Sequence, residues 1–249
     1  MPVEMQDSDS NARSPSPPSE VRPPPVEPPV RPLREAGAEG LLAVGGAQRQ
    51  EPTVDRERER EKWDAVYQDF DATVAESDAV EQFNAQFAEL VCELLPKGGR
   101  VLEAGCGGAS QSLALARTGR FDVAVMDFSE NALKAAQARF AQAQLPATFE
   151  LGDVYEPGEP QYDLVFNAGV LEHYTLKQQA AFLRGMATRS KRYVLALAPN
   201  RLCYWYWLWR IQKTGVHEWP YGKEAPVADL SEAFTAAGLH FQGQAFVGQ

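Results

Sequence analysis

Apolar positions along this chain keep two alternating rhythms from about residue 79 onward. Short apolar runs, RVLEA (100–104), DVAVMD (122–127), TFELG (148–152), YDLVFNA (162–168) and RYVLALAP (192–199), have the length and composition of buried strands. Between them, apolar residues recur three and four apart over 79–95, 110–117, 129–144 and 178–188, which predicts helices. Pro96-Lys97-Gly98-Gly99 ends the first of these, and Ser129 is placed to cap the third. Upstream, DREREREKWDAVYQDF (55–70) alternates acids and bases, then brings Trp63, Val66, Tyr67 and Phe70 to helical spacing. This predicts a helix whose charged run faces water and whose aromatics dock it on the domain. Near the end, LSEAFTAAG predicts a helix closed by Gly238, and LHFQGQAFV (239–247) a sixth strand.

Strands joined through helices must run parallel, and a parallel sheet has to be covered on both faces. The fold class expected is therefore α/β, a doubly wound, mostly parallel, Rossmann-like sheet. Composition divides the chain of 249 residues: eleven of its 18 prolines lie at or before Pro52. Proline removes a backbone donor and biases its predecessor against helix, so 1–53 is expected to be a disordered arm, and 54–249 the folded domain. The arm suits a plain tether or a PxxP ligand for an SH3-like partner. A net charge of −10 argues against a nucleic-acid partner, since phosphate binding needs a basic face. Cys92, Cys106 and Cys203 are odd in number and contain no CxxC pair, which disfavours a disulfide framework or zinc knuckle. With no secretory signal pattern and no apolar run near 18 residues, the expectation is a cytoplasmic protein.

In such a sheet, ligands bind beyond the carboxyl ends of the strands. The first strand ends in Glu103-Ala104-Gly105-Cys106-Gly107-Gly108-Ala109, a turn whose glycines let backbone approach a ligand closely. The second ends in Asp127, 24 residues after Glu103, where a carboxylate can accept from paired ribose hydroxyls. Phe128 can cover a base, and Gly152-Asp153 sets a third carboxylate at a strand tip, toward an adenine amino group. Taken singly each acid has a bland alternative as a loop residue; three at successive tips strengthen the case for one nucleoside-binding site.

VLEAGCGGA, VMDFS, LGDV and YDLVFNAGVLEHY together resemble the class I S-adenosylmethionine-dependent methyltransferase family, over roughly residue 79 to the C-terminus. The family's Glu-x-Gly-x-Gly signature is matched at Glu103, Gly105 and Gly107, and its frequent third glycine is Ala109 here. The resemblance implies S-adenosyl-L-methionine as cofactor. It implies that Gly105, Cys106 and Gly107 approach it, Asp127 holds the ribose, and Phe128 packs on adenine. Asp153 and the Val154 backbone would read the adenine edge, and Asn167, Ala168 and Gly169 line the sulfonium side. Acidic side chains and aromatic faces suit a sulfonium cation. A dinucleotide fingerprint would want glycine at Ser110, so an NAD-dependent oxidoreductase is the weaker enzyme alternative. A non-catalytic methyltransferase-like binding module is the other.

Methyl transfer needs a base only where the acceptor must lose a proton. His173, in LEHY after the fourth strand, is the candidate, with a pocket-shaping loop histidine as its plain alternative. Glu172 is an acid/base candidate or a loop anchor. Cys106 has no neighbouring base and is not read as a nucleophile. Residues 200–222, NRLCYWYWLWRIQKTGVHEWPYG, hold four of the five tryptophans. They suit core packing, a lid over a small and hydrophobic acceptor, or a helix touching a membrane through Trp205, Trp207 and Trp209. His217, Glu218 and His240 lack metal-ligand spacing, and no metal is expected. Because the family's sheet usually closes with a seventh, antiparallel strand and this sequence stops at Gln249, a last strand missing from a longer protein is expected.

Overall fold

The computed structural model describes residues 55–72, 76–214 and 224–248; the Pro-rich arm expected over 1–53 lies outside them. Seven α-helices, one 3-10 turn (Leu171–His173) and five strands are present among the described residues: α1 (Arg56–Tyr67), α2 (Asp78–Leu94), β1 (Gly99–Ala104), α3 (Ser110–Arg117), β2 (Phe121–Asp127), α4 (Glu130–Ala143), β3 (Thr148–Leu151), β4 (Tyr162–Ala168), α5 (Leu176–Arg189), β5 (Ser190–Leu197), α6 (Tyr204–Thr214) and α7 (Ser231–Ala236). The sheet order is β3-β2-β1-β4-β5, all parallel. Winding reverses between β1 and β4, so the tips of β1, β2 and β4 open a crevice there.

Period-2 alternation sends β1 residues to opposite layers. Val101, Val123, Val125, Leu164 and Phe166 pack under α2, α3 and α4, against Phe87, Val91, Leu115 and Phe140. Leu102, Ala104, Ala124, Met126 and Val165 pack under α5 and α7, against Phe182, Leu183, Met186 and Phe234. Two apolar layers around one sheet supply the burial that holds it. Ser129 caps α4 as expected, its hydroxyl accepting from Ala132 N at 3.1 Å.

The sixth strand is a correction. Residues 239–248 form no strand, and the described sheet has five. Alternation holds only for Leu239 and Phe241, which dock on the α5/α7 layer, Phe241 lying 5.7 Å from the Phe234 ring. Gly243 then takes φ +153, and Phe246 is exposed, so no pleated apolar face continues. Among the described residues no helix is long and apolar enough to cross a membrane.

Candidate active site

Three strand tips build the floor of a cleft. After β1 the chain turns sharply through Gly105 (φ +73) and Gly107 (φ +49), conformations that glycine adopts at low cost. Gly105 and Cys106 N–H groups donate to the Met126 carbonyl, at 2.8 and 3.0 Å, fastening this turn to the end of β2. Asp127 completes the fastening: its Oδ2 accepts from Gly107 N and its Oδ1 from Ser129 N, both at 2.9 Å. A carboxylate offers about four acceptor positions, so capacity remains for a ligand beside the backbone donors Gly107, Ser129 and Phe128. Burial pushes the Asp127 carboxyl up from the ordinary carboxylate range, and those N–H groups hold it back.

The cleft is lined by Gly105, Cys106, Gly107, Asp127, Phe128, Asp153, Val154, Ala168, Gly169 and His173 among the residues expected from sequence. Glu103 and Asn167 do not line it. Glu103 lies beneath the turn and accepts from Ser112 N (3.2 Å) at the start of α3. Asn167 is fully buried, with neither side-chain amide atom hydrogen-bonded. Burial pushes the Cys106 thiol well above its usual range, which agrees with an inert role.

Burial also lifts the Glu103 carboxyl, from 4.5 to about 8. The folded form then holds a proton that the unfolded chain has released between pH 4.5 and 8, so this group's contribution to stability is full below 4.5 and is lost as pH rises through 8. Replacing Glu103 with Gln should keep the Ser112 contact and flatten the fall in Tm between pH 5 and 8. Thermal melts across that range check this; an unchanged slope in Glu103→Gln would contradict it.

The docking of α1 through its aromatics follows the sequence, but its place over the cleft and the entry of Arg56 from the charged run were not legible there. α1 lies over the cleft and brings Arg56, Trp63 and Tyr67, spaced seven and four apart, onto it. Arg56 Nε and Nη2 bind Asp153 Oδ2 at 2.8 and 2.6 Å. Its guanidinium sits 4.8 Å from the Phe128 ring centroid and 4.5 Å from that of Tyr155. Trp63 meets the His173 ring edge-on, centroids 5.2 Å apart. The Tyr67 hydroxyl lies where a Cβ on Gly107 would stand. Asp64 anchors the helix, accepting from Ser129 Oγ (2.5 Å) and Asn131 N (3.3 Å), while its carbonyl accepts from Asn131 Nδ2 (3.0 Å).

Behind His173 stands a polar cluster that the sequence did not reveal either, because Glu224 comes from about fifty residues downstream. Glu224 Oε1 is 4.0 Å from His173 Nε2, and its Oε2 receives Tyr206 Oη (2.7 Å) and Arg210 Nη1 (3.1 Å). Ala225 N donates to the Glu172 carbonyl at 2.7 Å, tying this segment to the turn that carries His173. Burial, helped by Glu224, lifts the Glu172 carboxyl to about 8, so it is mostly neutral at pH 7. Of the aromatic segment, Trp207 is partly exposed and donates to the Arg201 carbonyl (2.8 Å); Trp219 and the side chains of Trp205 and Trp209 lie outside the described residues.

Residues 101–192 match a family described as Methyltransferase domain. That segment runs from β1 into β5 and includes the strand tips that line the cleft. Similar solved structures share its fold. One is a magnesium protoporphyrin IX methyltransferase from Synechocystis PCC 6803 with bound SAH, 22% identical, covering 74% of this chain and 89% of that one, TM-score 0.52. Another, described as conversion of a disulfide bond into a thioacetal group during echinomycin biosynthesis, is 20% identical and covers 71% and 77%, with TM-score 0.53. No curated protein matches the sequence. The family's cofactor is S-adenosyl-L-methionine, and the site fits it. The Gly105–Gly107 turn presents bare backbone to the cleft, the buried Asp127 retains acceptor capacity, and the Phe128 ring and Asp153 carboxylate together hold a flat, donating group, here the Arg56 guanidinium.

Proposed function

We propose that this methyltransferase uses the cleft to hold S-adenosyl-L-methionine and delivers its methyl group to a small, hydrophobic acceptor. The observation that carries the reading is the convergence of Asp127, Asp153, the Gly105–Gly107 turn and His173 on one cleft. In this reading Asp127 accepts from the ribose hydroxyls, Asp153 and the Val154 backbone meet the adenine edge, and Phe128 covers the base. Ala168 and Gly169 leave room beside the sulfonium. When bound, the cofactor supplies an electrophilic methyl carbon on a sulfonium. The chain's own work is alignment and exclusion of water, done by Trp63, Tyr67 and Tyr174 along the cleft wall. His173 is the group placed to take a proton from an acceptor that must lose one, with Glu224 behind it. Calorimetric titration with S-adenosylmethionine and S-adenosylhomocysteine tests the assignment. Saturable binding of both supports it, and no binding at millimolar ligand overturns it.

The same reading extends to where the acceptor is met. α6 carries Tyr206 and Arg210 toward Glu224, while Tyr204, Leu208 and Ile211 are exposed at 68%, 41% and 65%. Among the described side chains of α6, Tyr206 and Arg210 thus point inward while the apolar Leu208 and Ile211 face outward beside Gln212. Residues 200–214 contain Arg201 and Lys213 beside the paired Arg210 and no acid, in a chain of net charge −10. Such a helix suits an anionic lipid surface, from which a hydrophobic acceptor would enter. The protein should float with vesicles containing anionic phospholipid more than with neutral ones, and Leu208→Asp with Ile211→Asp should abolish this. Equal recovery with and without vesicles would refute it.

A further inference from the structure

Arg56 occupies the seat that the proposed reading gives to the base. A guanidinium is flat, stacks on aromatic faces and donates through parallel N–H groups. Those are the properties by which an adenine would engage the same partners. Here the group lies close to the rings of Phe128 and Tyr155, and it binds Asp153 Oδ2 through two nitrogens. The carboxylate expected to read the adenine amino group is already engaged by a cation from the chain itself.

From these contacts we infer that Arg56 is an internal competitor for the adenine end of the cofactor, so that α1 sets cofactor affinity as well as covering the cleft. The inference rests on the cofactor assignment above. Arg56 is the first residue of α1, so its side chain can leave the seat without breaking the helix ladder. The helix stays attached through Asp64, whose bonds to Ser129 and Asn131 do not involve Arg56. α1 has no fully buried residue, and Asp55 caps it by accepting from Arg58 N. Withdrawing one side chain therefore disturbs little else. Its cost is the ion pair with Asp153, the two ring contacts and the hydrogen bond to the Tyr174 hydroxyl, and every cofactor molecule that binds must meet that cost. The base then recovers Asp153 and Phe128 for itself.

The test is titration of S-adenosylhomocysteine into the full chain and into Arg56→Ala and Arg56→Met. The methionine variant keeps an apolar stem over the rings and guards against loss of packing. Both variants should bind about five- to thirty-fold more tightly than the parent, as expected from relief of two cation–π contacts and a partly exposed ion pair. Adenosine should gain by a similar factor, and free methionine, which has no base, should gain nothing. Unchanged or weaker binding of S-adenosylhomocysteine by both variants, with normal thermal melts, would overturn the competition and make Arg56 a cofactor contact or a bystander. A gain for methionine equal to that for adenosine would also overturn it, because relief would not then be local to the base. Failure of parent and variants alike to bind would remove the cofactor assignment, and the competition with it.

Discussion

Replacing Asp127 with alanine is expected to weaken S-adenosylhomocysteine binding by about a hundredfold or more, since charge-assisted hydrogen bonds to two hydroxyls contribute roughly 1.5–3 kcal/mol each. His173→Ala should leave binding within about threefold, because its expected role concerns the acceptor. The Asp127 side chain also holds the Gly107 and Ser129 N–H groups. Alanine would leave both donors without partners in a buried place, at roughly 1–3 kcal/mol each, so stability falls too. Asp127→Asn separates the two effects. It keeps the volume and one acceptor oxygen, so the fold should survive, while the ribose loses a negative partner and meets an amide. Calorimetry paired with thermal melts of the three variants gives the answer. If Asp127→Asn and His173→Ala weakened binding equally, Asp127 would not be the ribose holder.

The contrast between Asp127 and Arg56 shows which parts of this site were legible in the sequence. The place of Asp127 was readable because strand period and chain order fix where a β2 tip must lie, and ligands in a parallel sheet are met at those tips. α3 and β4 fall on the expected residues, Ser110–Arg117 and Tyr162–Ala168, for the same local reasons. Arg56 was not readable. In RERERE every residue looks like a solvated charge, and only the docking angle of α1, fixed by Asp64 on the start of α4, decides which one enters the cleft. Glu224 escaped notice for a related reason: its nearness to His173 is a contact of high sequence separation that no periodicity encodes. Leu239 to Val247 failed in the opposite direction. A locally plausible alternation meets a positive-φ Gly243 and gains no strand partner.

Gly185→Ala is the substitution where local and tertiary physics give opposite answers, and tertiary packing is expected to win. By helix propensity alone, alanine inside α5 should stabilise by about 0.5–1 kcal/mol. But the α5 backbone is pressed against the loop after β3: a Cβ on Gly185 would overlap the carbonyl oxygen of Val154 and stand 2.9 Å from its carbon. A rigid peptide group cannot turn aside as a flexible side chain would. It is held there as well, because Arg189 Nη1 bridges the Val154 carbonyl (3.2 Å) and the Gly185 carbonyl (3.1 Å), and Nη2 reaches the Asp153 carbonyl (3.3 Å). Overpacking of this kind costs about 1–3 kcal/mol, and the broken bridge adds to it, so the net loss should be about 2 kcal/mol. For a domain of this size that lowers Tm by roughly 4–8 °C. The displaced segment also carries Asp153 at the adenine seat, so affinity for S-adenosylhomocysteine should fall alongside stability. A melt showing Gly185→Ala as stable as the parent, or more so, would mean that the loop gives way and that Val154 is not fixed by α5.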